Sequence, residues 1–264
     1  MNFNVLGTFE VVHNGVVSSP TAPKVCQVLA LLLLADQPVP RESLIEELWV
    51  DRPPRSAVTT CQTYIYQIRK YLAEMGAPRD GMDVLSTHPS GYVLRARRPD
   101  VDARRFEDLV EGARAVAAED PVGAARMVRR ALRTWRGAPL SNLILGPLLR
   151  VHVSHLEEQY LRAWEICIEL EMRMGRHREL IGELKTLAAM HPFKEWFHGQ
   201  LMLALHRSGR RVEALNVYQK LHRILREELG LGPSLEIRQL HQQILSGVEE
   251  QTAGQVQLQG LRGA

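Results

Sequence analysis

Between residues 56 and 76 the sequence SAVTTCQTYIYQIRKYLAEMG gathers side chains that could meet nucleic acid. Thr59, Thr63, Tyr66 and Lys70 recur at steps of three and four, so they share one side of a helix. Thr60, Gln62, Gln67 and Arg69 flank them. No acidic residue occurs between Asp51 and Glu74. An ordinary solvated face would be rich in Glu and Lys. This one offers hydroxyls, amides, a phenol and two cations, the groups that can pair with base edges and phosphates. On the other side Val58, Cys61, Ile65, Ile68 and Leu72 form an apolar stripe. Ser56 is placed to cap the helix and Gly76 to stop it. A surface helix poor in acids would show the same pattern, so the flanking elements must decide.

Other chemistry is thinly supported. His152, His155 and Glu158 stand three apart on a helix, but no fourth ligand accompanies them, and they read as ordinary histidines rather than a metal site. No nucleophile and base come with a positioned third group, so the chain reads as no enzyme and needs no cofactor. Cys26, Cys61 and Cys167 are odd in number and widely spaced, with no CxxC pair. A reducing, cytoplasmic setting fits them. The longest apolar run, 25–35, is broken by Gln27 and too short to span a bilayer. The first residues, MNFNVLG, lack the basic region of a secretory signal.

Composition is that of a globular protein, with 45% hydrophobic and 24% charged residues. The 264 residues allow two domains, each with its own core. Formal net charge is only +3. Residues 1–100 hold ten Lys plus Arg against ten Asp plus Glu, a net of zero. Affinity for DNA must therefore come from charges placed on one face.

The elements that must position the helix can be read on either side of it. Phe3 and Val5 alternate with polar neighbours, Gly7 interrupts, and Phe9 to Val12 resumes. His13-Asn14-Gly15 then carries a hairpin signal before Val16-Val17. A small antiparallel sheet is expected. A nearly all-apolar helix follows over 24–35 and a second over 40–49, with Leu44, Ile45, Leu48 and Trp49 inward and Glu42, Glu46, Glu47 and Asp51 outward. The turn through Arg52, Pro53, Pro54 and Arg55 leads into 56–76. Strands at 84–87 and 91–97 flank a turn at His88-Pro89-Ser90. Sheet, three helices and terminal hairpin is the layout of a winged helix-turn-helix, whose third helix enters the major groove.

From Asp102 the pattern is helical, at 102–118, 121–135, 147–174, 176–190, 193–207, 210–229 and 234–246. Residues 135–146 form one longer link. Gly175-Arg176-His177-Arg178-Glu179-Leu180 returns thirty-four residues later as Gly209-Arg210-Arg211-Val212-Glu213-Ala214-Leu215. That period belongs to tetratricopeptide-like helical hairpins. The expected architecture is an α+β winged helix with an N-terminal β-sheet over 1–98, an all-α tetratricopeptide-like domain over 102–247, and a disordered tail over 248–264.

With these residues in place the chain resembles the Streptomyces antibiotic regulatory proteins, activators of secondary-metabolite gene clusters. The resemblance runs from Phe3 to about Leu245. It is carried by Val5-Leu6-Gly7, Pro23-Lys24 with Leu29 to Leu34, Leu48-Trp49 with Pro53-Pro54, Tyr64 to Leu72, and Gly91-Tyr92. In the second half it is carried by Val101-Asp102 with Phe106, Trp135-Arg136-Gly137, Gly199 to Leu205, and Glu227 to Gly230. The resemblance implies a winged helix of the response-regulator output type joined to a bacterial transcriptional activation domain. It also implies binding to direct repeats in double-stranded DNA and contact with RNA polymerase, including its sigma factor. No GxxxxGK[ST] is present, so ATP use is not expected. Two positions depart from the family pattern. Cys26 stands where a basic residue is usual, and His88 replaces an Arg at the wing tip. Both remove fixed positive charge, so weaker intrinsic binding is expected.

On this reading Thr59, Thr63, Tyr66 and Gln67 face base edges. Lys24, Arg52, Arg55, Thr60, Gln62, Arg69, Lys70 and His88 meet phosphate or the minor groove. A homodimer forms on DNA with the helical domain holding two protomers side by side. Glu42, Glu46 and Glu47 form either a solvated helix face or a polymerase-facing one. Trp49 and Tyr64 read as core or edge residues. The basic stripe Arg126, Arg129, Arg130, Arg133 and Arg136 serves solubility, or else an acidic partner or DNA. The competing function is a protein-interaction scaffold in which the repeats bind a peptide and the winged helix is only a platform.

Overall fold

A computed structural model of the chain describes residues 1–76 and 84–247. The tail read as disordered lies outside the described residues. The chain divides into two compact units, Met1–Leu170 and Glu171–Ala264.

The first unit opens with strands β1 (Asn2–Asn4), β2 (Glu10–His13) and β3 (Val16–Ser18), an antiparallel sheet in that order. Its hairpin turn is Asn14-Gly15, both with positive φ, at 49° and 79°. Asn-Gly is the pair that takes this geometry at least cost. Helices α1 (Pro23–Leu34), α2 (Arg41–Trp49) and α3 (Ala57–Glu74) follow, then strands β4 (Leu85–His88) and β5 (Gly91–Leu94). Leu85 pairs with Leu94 and His88 with Gly91 across this second hairpin. A short 3-10 turn, Arg98–Asp100, precedes α4 (Asp102–Val116), α5 (Pro121–Leu132) and α6 (Pro147–Arg173), whose last residues belong to the second unit.

Ten of the twelve residues of α1 are buried, Val25 to Leu34. Each Leu so enclosed contributes about 1.5–3 kcal/mol of burial energy, and α1 is the centre of the winged-helix core. Gln27, the polar interruption of this run, donates from Nε2 to the Glu47 backbone oxygen at 3.0 Å and to its carboxylate at 3.1 Å.

Glu47 corrects the sequence reading. It was placed on an outward acidic face with Glu42 and Glu46, but its side chain is only 1% exposed. Its carboxylate accepts the backbone N–H groups of Gly146, Leu148 and Leu149 at 2.7, 2.8 and 3.1 Å. Those are the unpaired donors at the start of α6, which opens Gly146-Pro147 and has no capping side chain of its own. The carboxylate also opposes the positive end of a 27-residue helix. A Cβ on Gly146 would lie 2.1 Å from the Glu47 carbonyl oxygen, so only glycine allows the approach. Glu42 and Glu46 remain exposed.

A second joint ties the N-terminal sheet to the link at 135–146. Arg136 N–H donates to Leu6, Leu140 to Val5 and Ser141 to Gly7, at 2.8, 3.1 and 3.3 Å. The Asn142 amide accepts from Phe9 N–H at 2.7 Å and returns a bond to its carbonyl at 3.3 Å. Buried Asp102 accepts from the N–H groups of Val5 and Leu6 at 2.8 and 3.1 Å. Burial pushes its carboxyl up from the usual range despite these donors and Arg136. Arg136, read as part of a basic stripe, instead donates to Glu10 at 2.8 Å and to the Thr8 carbonyl at 3.2 Å. Phe3 and Val101 form a parallel bridge beside these bonds.

The second unit carries α7 (His177–Met190), α8 (Glu195–Arg207), α9 (Arg211–Leu229) and α10 (Leu235–Ser246). Gly175 and Gly209, the glycines of the thirty-four-residue period, share φ of 77°. They terminate helices in the left-handed conformation that β-carbons disfavour. Leu180, Leu184, Leu201, Leu205, Leu221 and Leu225 fill the interior of the stacked hairpins. Among the described residues no helix is long and apolar enough to cross a membrane, and no three His, Cys, Asp or Glu side chains could hold a metal ion.

Two stability outcomes follow from these buried polar groups. Glu47→Ala leaves three helix-start N–H groups unpaired and should lower unfolding free energy by roughly 3 kcal/mol or more, read by urea denaturation, with Glu47→Gln intermediate. His198 is 3% exposed, and burial, aided by Lys220, holds its imidazole below its ordinary pKa against the Pro192 carbonyl and Glu195. A lowered folded pKa means its contribution is complete above the unfolded value of about 6.5. That contribution is lost as pH falls through the lower folded value. His198→Gln should therefore flatten the acid-side decline of stability, measured by denaturation at successive pH values.

Candidate nucleic-acid interface

Helix α3 turns an apolar side inward and a polar side outward. Its buried residues are Ala57, Cys61, Ile65, Ile68 and Leu72. Val58, read as the first of that stripe, is 43% exposed. Counting back four from Cys61 gives Ala57, so the inward line begins one residue earlier than the apolar residues alone suggest. Ser56 occupies the cap position but makes no side-chain cap bond, whereas Gly76 has φ of 82° just beyond the end, as its stop role requires.

The outward side is open. Thr59, Gln62, Thr63, Tyr66, Gln67, Arg69 and Lys70 are exposed and Thr60 is half-buried. Tyr66 is 66% exposed, unusual for an aromatic residue with no core to serve. Thr63 donates its hydroxyl back to the Thr59 carbonyl at 3.0 Å. Lys70 lies 3.8 Å from Glu74, with both side chains more than 60% exposed. Such a pair contributes little in water, so the ammonium can exchange it for a phosphate.

The rest of the expected set divides. Arg52 and Arg55 are exposed on the turn before α3. Lys24 is half-buried. Its ammonium donates to the Leu48 carbonyl at 3.3 Å and sits 4.4 Å above the Trp49 ring. There it closes the C-terminal end of α2, and Trp49 is an edge residue. Arg69 reaches the wing, donating from Nε to the Leu85 carbonyl at 3.0 Å and from Nη2 to Thr87 Oγ1 at 2.9 Å. This link had no signal in the sequence, because it joins residues sixteen and eighteen positions apart. His88 is exposed at the wing tip, where its Nδ1 accepts from Ser90 N–H at 3.3 Å.

The wing is also anchored along β5, close to its turn. Val39, between α1 and α2, exchanges two backbone bonds with Tyr92, both 2.9 Å. A Cβ on Gly91 would stand 2.1 Å from the Val39 carbonyl oxygen. Three elements thus present outward polar groups around α3: the turn before it, the helix and the hairpin tip.

Val50, in the turn between α2 and α3, has φ of 53° and ψ of −115°, strained for a β-branched residue. It is 55% exposed. Val50→Gly should relieve that strain at no packing cost and raise stability by about 1 kcal/mol, read as a higher midpoint in urea.

The chain is similar to several known proteins over most of its length. A family described as "Bacterial transcriptional activator domain" matches residues 101–245. The regulatory protein DnrI of Streptomyces peucetius is 41% identical over 250 residues, covering 93% of this chain and 92% of that protein. The regulatory protein AfsR of Streptomyces griseus is 34% identical, and there the chain spans only 25% of the relative's length. Among solved structures, Mycobacterium tuberculosis EmbR in complex with a low-affinity phosphopeptide superposes with a TM-score of 0.86 at 31% identity. That match covers 93% of this chain and 65% of EmbR. DnrI and AfsR are named regulatory proteins and EmbR a transcriptional regulatory protein. The chain belongs to the Streptomyces antibiotic regulatory protein family of transcriptional activators.

Proposed function

We propose that this protein binds direct repeats in double-stranded DNA upstream of the promoters of a secondary-metabolite gene cluster. There it recruits RNA polymerase through its sigma factor, in the cytoplasm. The observation that carries the proposal is the outward side of α3, open to solvent and free of acid from its start until Glu74 at its last residue. Thr59, Thr63, Tyr66 and Gln67 meet base edges in the major groove. Thr methyls suit thymine, and the Gln amide can pair twice with adenine. Arg52, Arg55, Gln62, Thr60 and Lys70 set register on the phosphates, and His88 reaches the minor groove from the wing.

Lys24 supports this surface by holding the end of α2 rather than standing free. Two protomers on repeats about one helical turn apart lie on the same side of the duplex, with the helical hairpins holding them together. Exposed Glu42 and Glu46 suit a basic element of the polymerase.

The test is a gel-shift titration over a series of salt concentrations, using duplexes recovered by the full chain from a random-sequence library. The expected result is a steep fall of affinity with salt. Lys70→Ala should weaken binding to all duplexes and reduce the salt slope by about one. Thr63→Ala should instead relax the preference at one base pair. A protein-interaction scaffold would recover no duplex, and that result would overturn the proposal.

A further inference from the structure

We infer that Arg69 is a positioning residue: its guanidinium locks the wing to the recognition helix and does not grip a phosphate. The inference rests on the DNA-binding reading above and assigns Arg69 a different task from its neighbours. The Nε and Nη2 edge of a guanidinium is a planar fork suited to two parallel acceptors, and it is the edge that takes a phosphate bidentately. In this protein that fork is already filled, by the Leu85 carbonyl at 3.0 Å and Thr87 Oγ1 at 2.9 Å. Both acceptors belong to β4. Leu85 is 1% exposed and fixed in the core, and Thr87 is next to His88 at the tip.

Two attachments therefore set the wing's angle. The backbone exchange between Val39 and Tyr92 holds β5 one residue from the turn. Arg69 holds the wing's side against α3. With both in place, the groove-reading side chains of α3 and the tip at His88 keep one spacing before any duplex arrives. A rigid two-point contact of this kind avoids the ordering cost that a loose hairpin would incur on binding. Among the described residues Lys70, one residue on, pairs with the exposed Glu74. Adjacent cations in the sequence thus do unlike work.

Charge and geometry can be separated by Arg69→Lys, which keeps the positive charge but cannot supply two bonds in fixed directions. On a duplex selected by the wild-type chain, Arg69→Lys and Arg69→Ala should both bind roughly tenfold more weakly, a coupling of ordinary size. Neither should change the slope of affinity against salt. His88→Ala should weaken the wild-type chain yet add little in the Arg69→Ala background, because the tip no longer sits in register. In the free protein, backbone amides of β4 and β5 should exchange with deuterium faster in Arg69→Lys.

Wild-type affinity in Arg69→Lys, a slope reduced by about one in Arg69→Ala, full additivity with His88→Ala, or unchanged exchange would each overturn the inference. Should the wild-type chain bind no duplex, the DNA reading fails, while the exchange measurement still decides whether Arg69 holds the wing.

Discussion

A single carboxylate, that of Glu47, carries the joint on which the first unit is organised. It sits on α2, the helix ahead of the one proposed to enter DNA, and accepts the first N–H groups of α6. A helix start in a protein interior must find acceptors, because each buried N–H left unpaired costs about 1–3 kcal/mol. A charged acceptor answers that need more strongly than a neutral one. The same residue receives Gln27 from α1. Three helices, one of them beyond the winged helix in sequence, thus share one polar node. The winged helix and the first helices of the activation region form one compact unit rather than beads on a linker.

The second joint obeys the same rule by other means. The N-terminal sheet has only three strands, and its short strands leave backbone groups that the irregular link at 135–146 satisfies. Asn142 imitates a strand neighbour with its amide, and Asp102 supplies two acceptors where β1 ends. Tryptophan in that link serves packing. Trp135 lies with its ring centroid 5.6 Å from Phe106 and 4.3 Å from Tyr160. A stretch without regular structure is thereby fixed to the sheet by backbone bonds and to α4 and α6 by ring packing.

Against this interior, the outward side of α3 stands apart. Buried Gln27, Glu47 and Asp102 each find hydrogen-bond partners, while Thr59, Tyr66 and Gln67 face solvent. Evenly balanced charge over residues 1–100 means that no bulk field draws the protein to nucleic acid. The surface proposed to bind must act by local arrangement. Cys26 and His88, which stand where the family resemblance leads one to expect fixed positive charge, fit that economy. Cys26 is buried, its thiol donates to the Pro20 carbonyl at 3.0 Å, and burial pushes its pKa up to about 11.

Much was legible in residue order alone, wherever the physics is local. Asn14-Gly15 announced its turn because few pairs tolerate two positive φ values. The apolar run of α1 announced a buried helix, and Gly175 and Gly209 announced the helical repeat, since period and left-handed stops are written within a few residues. The acid-free side of α3 was legible for the same reason, though its apolar line was set one residue late, at Val58 instead of Ala57, because a small side chain carries little apolar signal. What tertiary structure alone decided was the fate of charges whose partners lie far along the chain. Glu47 looked like one more acid on an outward helix face, where its neighbours Glu42 and Glu46 do lie exposed. Arg69 and Lys70 looked interchangeable, and Arg136 looked like part of a stripe. Periodicity says which side of a helix a residue takes, but a charge turns inward only when distant backbone supplies the bonds that repay its lost water, and that supply exists only once the fold has formed.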